Sequence, residues 1–104
     1  MKSHDIFLKA INEKCVVMVS VDTFEKGKIS RKCIPFDYGP SGIFNDDLDR
    51  YHLYTLDSPK GSHNLSILPK QLLHIEILEE QFNPEDYITW KPKWHIKRNW
   101  EKYS

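Results

Sequence analysis

The sequence predicts a mainly β fold, in which a short N-terminal helix precedes the five strands of a small barrel or meander. Five segments are rich in β-branched and aromatic residues, and residues that favour turns separate them. The length of 104 residues suits one domain with one hydrophobic core. Hydrophobic residues at 39% and charged residues at 29% are typical of a chain that folds.

The first predicted element is a helix over residues 4–13. Ile6, Phe7, Ala10 and Ile11 form one apolar stripe at helical spacing, and Ser3 is available as the N-cap. A helix of about three turns is not stable alone. We therefore expect its apolar stripe to pack against a sheet.

The first two predicted strands, residues 16–21 and 28–34, form a hairpin whose turn is centred near Lys26. The second strand is expected to end at Pro35, because proline donates no hydrogen bond to a sheet. Residues 36–49 then contain many turn-forming residues and predict a long loop. Loops of this length are often functional.

The remaining strands are predicted from alternating apolar residues and from the turn-forming residues between them. Residues 51–56 and 63–68 flank a turn at residues 58–61 and predict a second hairpin. One helical turn is expected at residues 69–71, and a fifth strand at residues 73–78. Residues 83–86 end the sheet region and lead into a basic, Trp-rich segment.

The two cysteines, Cys15 and Cys33, are expected to be buried thiols rather than a disulfide. The predicted hairpin register places Cys33 opposite Val19, so the two sulfur atoms would not face each other. Unpaired cysteine is among the residue types most often buried. No Cys-x-x-Cys spacing is present, so the usual pattern of a structural zinc site is missing.

The formal net charge of zero conceals a strong asymmetry. Residues 91–104 contain five of the 15 basic residues and one of the 15 acidic residues, which gives this segment a charge of +4. Residues 1–90 therefore carry ten basic and 14 acidic residues, a charge of −4. Because a basic segment attracts polyanions whatever the net charge of the chain, this segment is the first candidate for a binding surface.

Basic and aromatic residues alternate in this segment, as suits single-stranded nucleic acid. Cations follow the phosphates, and aromatic rings stack on bases at about 1–3 kcal/mol each. The candidate residues are Lys91, Lys93, Trp94, Lys97, Arg98 and Trp100. The competing interpretation is that Trp90 and Trp94, four residues apart, pack the segment onto the sheet while the lysines stay in water.

Other polar clusters give weaker signals. The five histidines have no spacing that brings three metal ligands together, although His52 and His63 could meet across the second hairpin. The acidic residues at 46, 47 and 49 lack the glycine and the distal glutamate of a calcium loop. No nucleophile elbow, phosphate-binding glycine loop or His-Glu-x-x-His helix is present. We therefore expect that the chain is not an enzyme and that it binds no metal ion and no cofactor.

The order of elements resembles the bacterial WYL domain over about residues 5–82. The matching segments are Ala10-Ile11 in the helix, Ile34-Pro35, the signature strand at Tyr51-His52-Leu53, and the closing strand over residues 72–82. The resemblance implies a Src-homology-3-like or Sm-like barrel that senses anionic ligands, often nucleic acid or nucleotides, in transcriptional regulators and defence systems. It also implies a domain over residues 1–82 with residues 83–104 as an extension.

The chain departs from the family in its basic residues. Where the family typically has arginines in and after the fourth strand, this chain has His63, Asn64, Ser66 and Lys70. A lysine does not reproduce the bidentate fork of arginine. The extension is therefore the best remaining place for a polyanion, and Arg50, Lys60 and Lys70 could add a barrel-side site.

Our first hypothesis is a non-enzymatic module that binds an anionic ligand, with single-stranded nucleic acid as the leading candidate. The alternative is a protein-interaction or homodimer module in which Trp90, Trp94 and Trp100 form the interface. The longest apolar run has five residues, so we expect no transmembrane helix, no signal peptide, no membrane partner and a cytoplasmic location.

Overall fold

The computed structural model describes residues 2–104 and shows one α-helix and a five-stranded antiparallel sheet. Helix α1 spans Ser3–Glu13, and the strands lie in the spatial order β4-β3-β2-β1-β5. The strands are β1 (Cys15–Asp22), β2 (Lys28–Pro40), β3 (Asp49–Thr55), β4 (Asn64–Ile67) and β5 (Leu72–Gln81). The mainly β class, the N-terminal helix and the five strands are thus confirmed. Within residues 2–104 no ladder joins β4 to β5, so the sheet is open at these two edges.

Helix α1 covers the sheet as its stripe predicts. Phe7, Ala10 and Ile11 are buried, and the helix packs against β5, β1 and β2. Ser3 is the first helical residue rather than the N-cap, and the capping position falls on Lys2, which makes no side-chain cap bond. Docking against the sheet therefore holds this helix in place, because its N-terminus lacks a side-chain cap.

Strand β2 does not end at Pro35, so that prediction was wrong. The strand pairs with β1 as far as Cys33, then with β3, and its register shifts between Pro35 and Asp37. Pro35 thus lies beyond the last β1 pair and next to a bulge, where a sheet tolerates a residue without an N–H. Asp37 and Tyr38, expected in a loop, belong to the strand. The loop shortens to residues 41–48.

The first hairpin has a different register from the predicted one. Val17 pairs with Cys33, so the hairpin is centred on Glu25 and Cys33 lies opposite Val17 rather than Val19. A shift of two residues keeps every side chain on its predicted face. Cys15 and Cys33 are buried and form no disulfide, as expected, and burial raises the pKa of the Cys33 thiol to about 12.

The C-terminal extension, residues 83–104, packs against the helix and the sheet. Trp100 is 1% exposed, and its indole Nε1 donates a hydrogen bond to the carbonyl oxygen of Ile11 at 2.8 Å. The ring of Phe82 meets the Trp100 ring edge to face, with centroids 5.4 Å apart. The extension therefore supplies one of the largest side chains of the core. None of the helices in residues 2–104 is long and apolar enough to cross a membrane.

Candidate functional site

Arg98 of the extension is buried between two tryptophans. Its guanidinium carbon lies 4.0 Å from the Trp94 ring centroid and 4.5 Å from that of Trp100. Its Nη2 donates to a carboxylate oxygen of Asp37 at 3.2 Å, and its Nη1 donates to the carbonyl oxygen of Phe36. Desolvation lowers the pKa of Arg98 to about 10, and the nearby Asp37 carboxylate opposes that shift.

Asp37 fastens the extension to strand β2. Besides the Arg98 guanidinium, its carboxylate accepts the backbone N–H groups of His95 and Ile96, each at 2.9 Å. These donors occupy the carboxylate within a site that is almost fully buried. Arg98 and Trp100, both candidates for ligand contact, are therefore part of the folded core and are not accessible to a ligand in this structure.

The other candidate cations of the extension lie on the surface. Lys91, Lys93 and Lys97 are exposed, and Trp90 is 48% exposed. The salt bridges found between residues 2 and 104 do not include any of these three lysines. Their charge is thus available to a ligand, in contrast to that of Arg98.

Between the extension and strands β2 and β3 lies an open pocket of about 370 Å³, which we name the aromatic pocket. Phe36, Trp90 and Trp94 form its walls. The Phe36 centroid is 6.0 Å from each of the two tryptophan centroids, and the tryptophan rings meet edge to face at 6.3 Å. The volume is in the range of small-molecule sites, which are also rich in aromatic residues.

The floor of the aromatic pocket is polar and fully hydrogen-bonded. His52 places Nε2 2.9 Å from the carbonyl oxygen of Gly39 and Nδ1 2.8 Å from the hydroxyl oxygen of Ser66. Because a carbonyl only accepts, Nε2 carries the proton, and in the neutral ring Nδ1 accepts the Ser66 hydroxyl. A serine paired with a base in this way resembles an activated nucleophile. The pair joins the neighbouring strands β3 and β4 and forms a polar floor for the pocket.

His52 and His63 do not meet, contrary to the sequence interpretation. The β3–β4 ladder places Ser66 opposite His52, which centres this hairpin on residue 59. His63 instead has its Nδ1 3.0 Å from the carbonyl oxygen of Gly61.

The rim of the aromatic pocket combines charge with exposed apolar surface. Lys93 and Asn64 line the pocket, as does Ile43, which is 91% exposed in the 41–48 loop. Aromatic walls, a polar floor and a cationic rim can together hold a planar ring that carries a negative group.

Arg50 does not contribute to this pocket. Its guanidinium binds both carboxylate oxygens of Asp46, at 2.9 and 3.0 Å, and lies 3.9 Å from the centroid of the Phe44 ring. Hydrogen bonding from Arg50 holds the pKa of Asp46 below its ordinary value. Arg50 is itself buried, so it fastens the 41–48 loop rather than offering a phosphate contact.

The other two barrel-side candidates lie apart from the aromatic pocket as well. Lys70 is exposed, with its ammonium group 5.6 Å from the Phe24 ring centroid. Lys60 lines a separate pocket near the turns of the two hairpins. The structure therefore does not combine Arg50, Lys60 and Lys70 with the extension lysines in one site. In residues 2–104 no group of three or more His, Cys, Asp or Glu side chains could hold a metal ion.

Sequence reasoning missed most of the pocket lining. Phe36 was assigned to a loop because the strand was expected to end at Pro35. A hairpin centred on residue 59, within the predicted turn, would have placed Ser66 beside His52. Comparisons of the chain with protein-family models, curated proteins and solved structures found no match. The function proposed below therefore rests on the geometry of this chain.

Proposed function

We propose that this chain is a non-enzymatic binding module for an anionic ligand that contains a planar ring, namely single-stranded nucleic acid or a nucleotide. The observation that carries the proposal is the aromatic pocket, with Trp90 half-exposed in its wall and Lys93 at its rim. A base can stack on an exposed indole, and a lysine near its edge can contact the phosphate.

Charge supports the same ligand class. Residues 91–104 of the extension carry +4 against −4 for residues 1–90, and one of the five basic residues in this segment, Arg98, is buried beside Asp37. The other four are lysines at positions 91, 93, 97 and 102, all exposed. Lys91 and Lys97 therefore add cationic surface to that of Lys93, and the ligand would follow the extension across its surface.

The proposal includes a WYL-like barrel of the Src-homology-3 or Sm type. The N-terminal helix, the antiparallel order β4-β3-β2-β1-β5 and the helical turn at Pro69–Gln71 before β5 support this identity. The ligand class that the resemblance implies agrees with the chemistry of the aromatic pocket. The proposed ligand site lies elsewhere than in the family, whose arginines are in the fourth strand, because this chain has no arginine in β4.

The test is binding of a labelled single-stranded oligonucleotide across a salt series. Phosphate contacts release counterions, so the logarithm of the binding constant should fall linearly with the logarithm of salt concentration, by about 0.7 per phosphate contacted. A binding constant that does not change with salt would contradict a phosphate ligand.

Variants separate the contributions of charge and stacking. Lys93→Gln should weaken binding and reduce the salt slope by about 0.7. Lys28→Gln changes the net charge equally at an exposed position outside the pocket and is the matched control. Trp90→Ala should cost about 1–3 kcal/mol of binding free energy while leaving the salt slope unchanged. Equal effects of Lys93→Gln and Lys28→Gln would show that binding does not use this site.

A second candidate function, self-association, is favoured by one observation. Ile43 and Trp90 are both exposed at the aromatic pocket, and apolar surface of this kind is found at protein interfaces. Trp100, part of the interface in the original hypothesis, is buried within the chain and cannot take part. Light scattering measures the molar mass of the full chain and of Ile43→Ser as a function of protein concentration. A mass that rises with concentration, and no longer does so in Ile43→Ser, supports self-association. A constant monomer mass excludes it.

A further inference from the structure

A second pocket, which we name the basic pocket, lies between the turns of the two hairpins. It has a volume of about 440 Å³ and is lined by Lys26, Arg31, Lys60, His63 and the remainder of the 58–62 turn. Lys26 lies in the β1–β2 turn, Arg31 on β2, and the other residues in the β3–β4 connection. The basic pocket and the aromatic pocket have no lining residue in common.

The cations of the basic pocket are not neutralised by ion pairs. In the described part of the chain, the salt bridges involve Lys9, Lys32, Arg50 and Arg98, and none involves Lys26, Arg31 or Lys60. Two acidic residues lie near. Glu25 lines an adjoining cavity, and Asp57 accepts the backbone N–H of Lys32. The pocket lining itself contains no acidic residue, so three like charges face one space.

Side-chain and backbone hydrogen bonds hold both turns that carry these cations. In the first turn, the hydroxyl of Thr23 donates to the carbonyl of Gly27 and accepts the N–H of Lys26, each at 2.8 Å. In the second, the N–H of Gly61 donates to the carbonyl of Ser58 at 3.0 Å. The backbone that carries Lys26 and Lys60 is therefore ordered before a ligand arrives, which lowers the entropic cost of binding.

Local hydrogen bonds also set the roles of Arg31 and His63 in the basic pocket. One Nη of Arg31 donates to the carbonyl oxygen of its neighbour Ser30 at 2.8 Å, which fixes the guanidinium and leaves its remaining N–H groups for a ligand. His63 donates from Nδ1 to the carbonyl oxygen of Gly61, so in the neutral ring its Nε2 is an acceptor, and the donors of the basic pocket come from the other side chains. A fixed guanidinium can contact two phosphate oxygens at once.

We propose that the basic pocket is a phosphate-binding site, in which Arg31 supplies paired donors, Lys26 and Lys60 supply charge, and the hydroxyls of Ser58 and Ser62 complete the lining. Its ligand is a phosphate group, either inorganic or attached to a larger molecule. This site goes beyond the proposed function, because it requires no aromatic ring and does not use the aromatic pocket.

The experiment is a titration of the ¹⁵N-labelled full chain with inorganic pyrophosphate at constant ionic strength, followed by amide chemical shifts. Saturable shifts at residues 26 and 60–63 are expected, and sodium chloride alone should not produce them. Arg31→Gln and Lys60→Gln should each weaken binding at least tenfold, whereas the control Lys28→Gln should bind as the unchanged protein does. The amide spectrum of each variant shows whether the fold is retained.

Two outcomes would overturn the site. One is a pyrophosphate response confined to residues 91–102, and the other is equal affinity in Arg31→Gln and Lys28→Gln. Adenosine monophosphate and adenosine then distinguish an attached phosphate from an inorganic one. Only the monophosphate should shift residues 60–63 if attached phosphate binds, and neither should if the site takes inorganic phosphate alone. Because Trp90→Ala should leave pyrophosphate affinity unchanged, failure of this site and failure of the aromatic pocket are separate results.

Discussion

The C-terminal extension has two faces that use the same residue types for different purposes. On the inner face, Trp100 and Arg98 are buried, and each makes a specific hydrogen bond to the helix or to β2. On the outer face, Trp90 is half-exposed and Lys93 has no ion-pair partner among residues 2–104. Exposure and partners, rather than residue type, therefore decide which cations and rings can meet a ligand.

The difference also shows what holds the outer face in position. Asp37 accepts three donors from residues 95–98, which follow Trp90 and Lys93 directly in the chain. The positions of Lys93 and Trp90 thus depend on a buried carboxylate that is distant in the chain, since Asp37 is 58 residues from His95. Variants of the two faces should separate stability from binding.

The largest expected effect comes from Trp100→Ala. Removing a buried tryptophan costs about 3–5 kcal/mol in the free energy of unfolding, and the carbonyl of Ile11 loses one of its two donors, keeping the N–H of Lys14. Trp90→Ala, on the outer face, should cost less than about 1 kcal/mol. Urea denaturation followed by circular dichroism measures both. Equal losses in the two variants would contradict the distinction between the faces.

The next effect is that of Asp37→Asn, which should destabilise the protein by about 3 kcal/mol. The amide presents one oxygen and an NH₂ group to three donors, so Arg98 stays buried beside an incomplete set of acceptors. Asp47→Asn is the control, because it makes the same change of charge at an exposed loop position whose φ of 59° asparagine tolerates. Urea denaturation of both variants is the measurement, and a loss for Asp47→Asn as large as that for Asp37→Asn would count against the anchoring role.

A smaller effect is expected from Gly39→Ala, which tests how closely the extension approaches β2. A Cβ atom at this position would lie 2.5 Å from a ring carbon and 3.0 Å from the Cβ of His95. Because the N–H of His95 is bonded to Asp37, the extension must shift, at a cost of about 1–3 kcal/mol. Gly42→Ala has no atom within 4 Å of the added carbon and should be neutral. Thermal unfolding of both variants provides the comparison, and a neutral Gly39→Ala would mean that the extension is loosely packed.

The elements that sequence reasoning predicted are those set by local pattern. The stripe of Phe7, Ala10 and Ile11 has a helical period, and the turn residues at 58–61 mark a hairpin whatever the rest of the chain does. The continuation of β2 through Pro35 was missed. The local propensity of proline argues against a strand at this position. Pro35 is acceptable because β1 no longer pairs with β2 beyond Cys33, so no N–H is needed on that side.

The candidate site was also predictable only in part, because some of its features depend on contacts between residues that are distant in the chain. Exposed lysines in a basic segment follow from composition, and they are exposed as expected. The burial of Arg98 depends on Asp37, which lies 61 residues earlier in the chain and inside a stretch that was assigned to a loop. The local signal that could have indicated its inner position is that Arg98 lies between Trp94 and Trp100, whose rings it contacts in the structure.

The smallest effect concerns the second buried arginine, Arg50, whose partner Asp46 is more exposed than Asp37. The pKa of Asp46 in the folded protein is lowered, chiefly by its hydrogen bond from Arg50, relative to an ordinary value of 3.8. The ion pair therefore contributes fully above that ordinary value and is lost as the pH falls through the lowered one. The 41–48 loop should keep its position at pH 5, while strongly acidic solution should release it.

Titration of the Asp46 side-chain carboxyl carbon by NMR between pH 6 and pH 2 measures this directly. Arg50→Gln should move the midpoint upward, towards the ordinary carboxyl value, because the dominant hydrogen bond is removed. Lys9→Gln, which removes the exposed partner of Glu13 in α1, should leave the Asp46 midpoint unchanged. An unchanged midpoint in Arg50→Gln would mean that the hydrogen bond from Arg50 is not what lowers the pKa of Asp46.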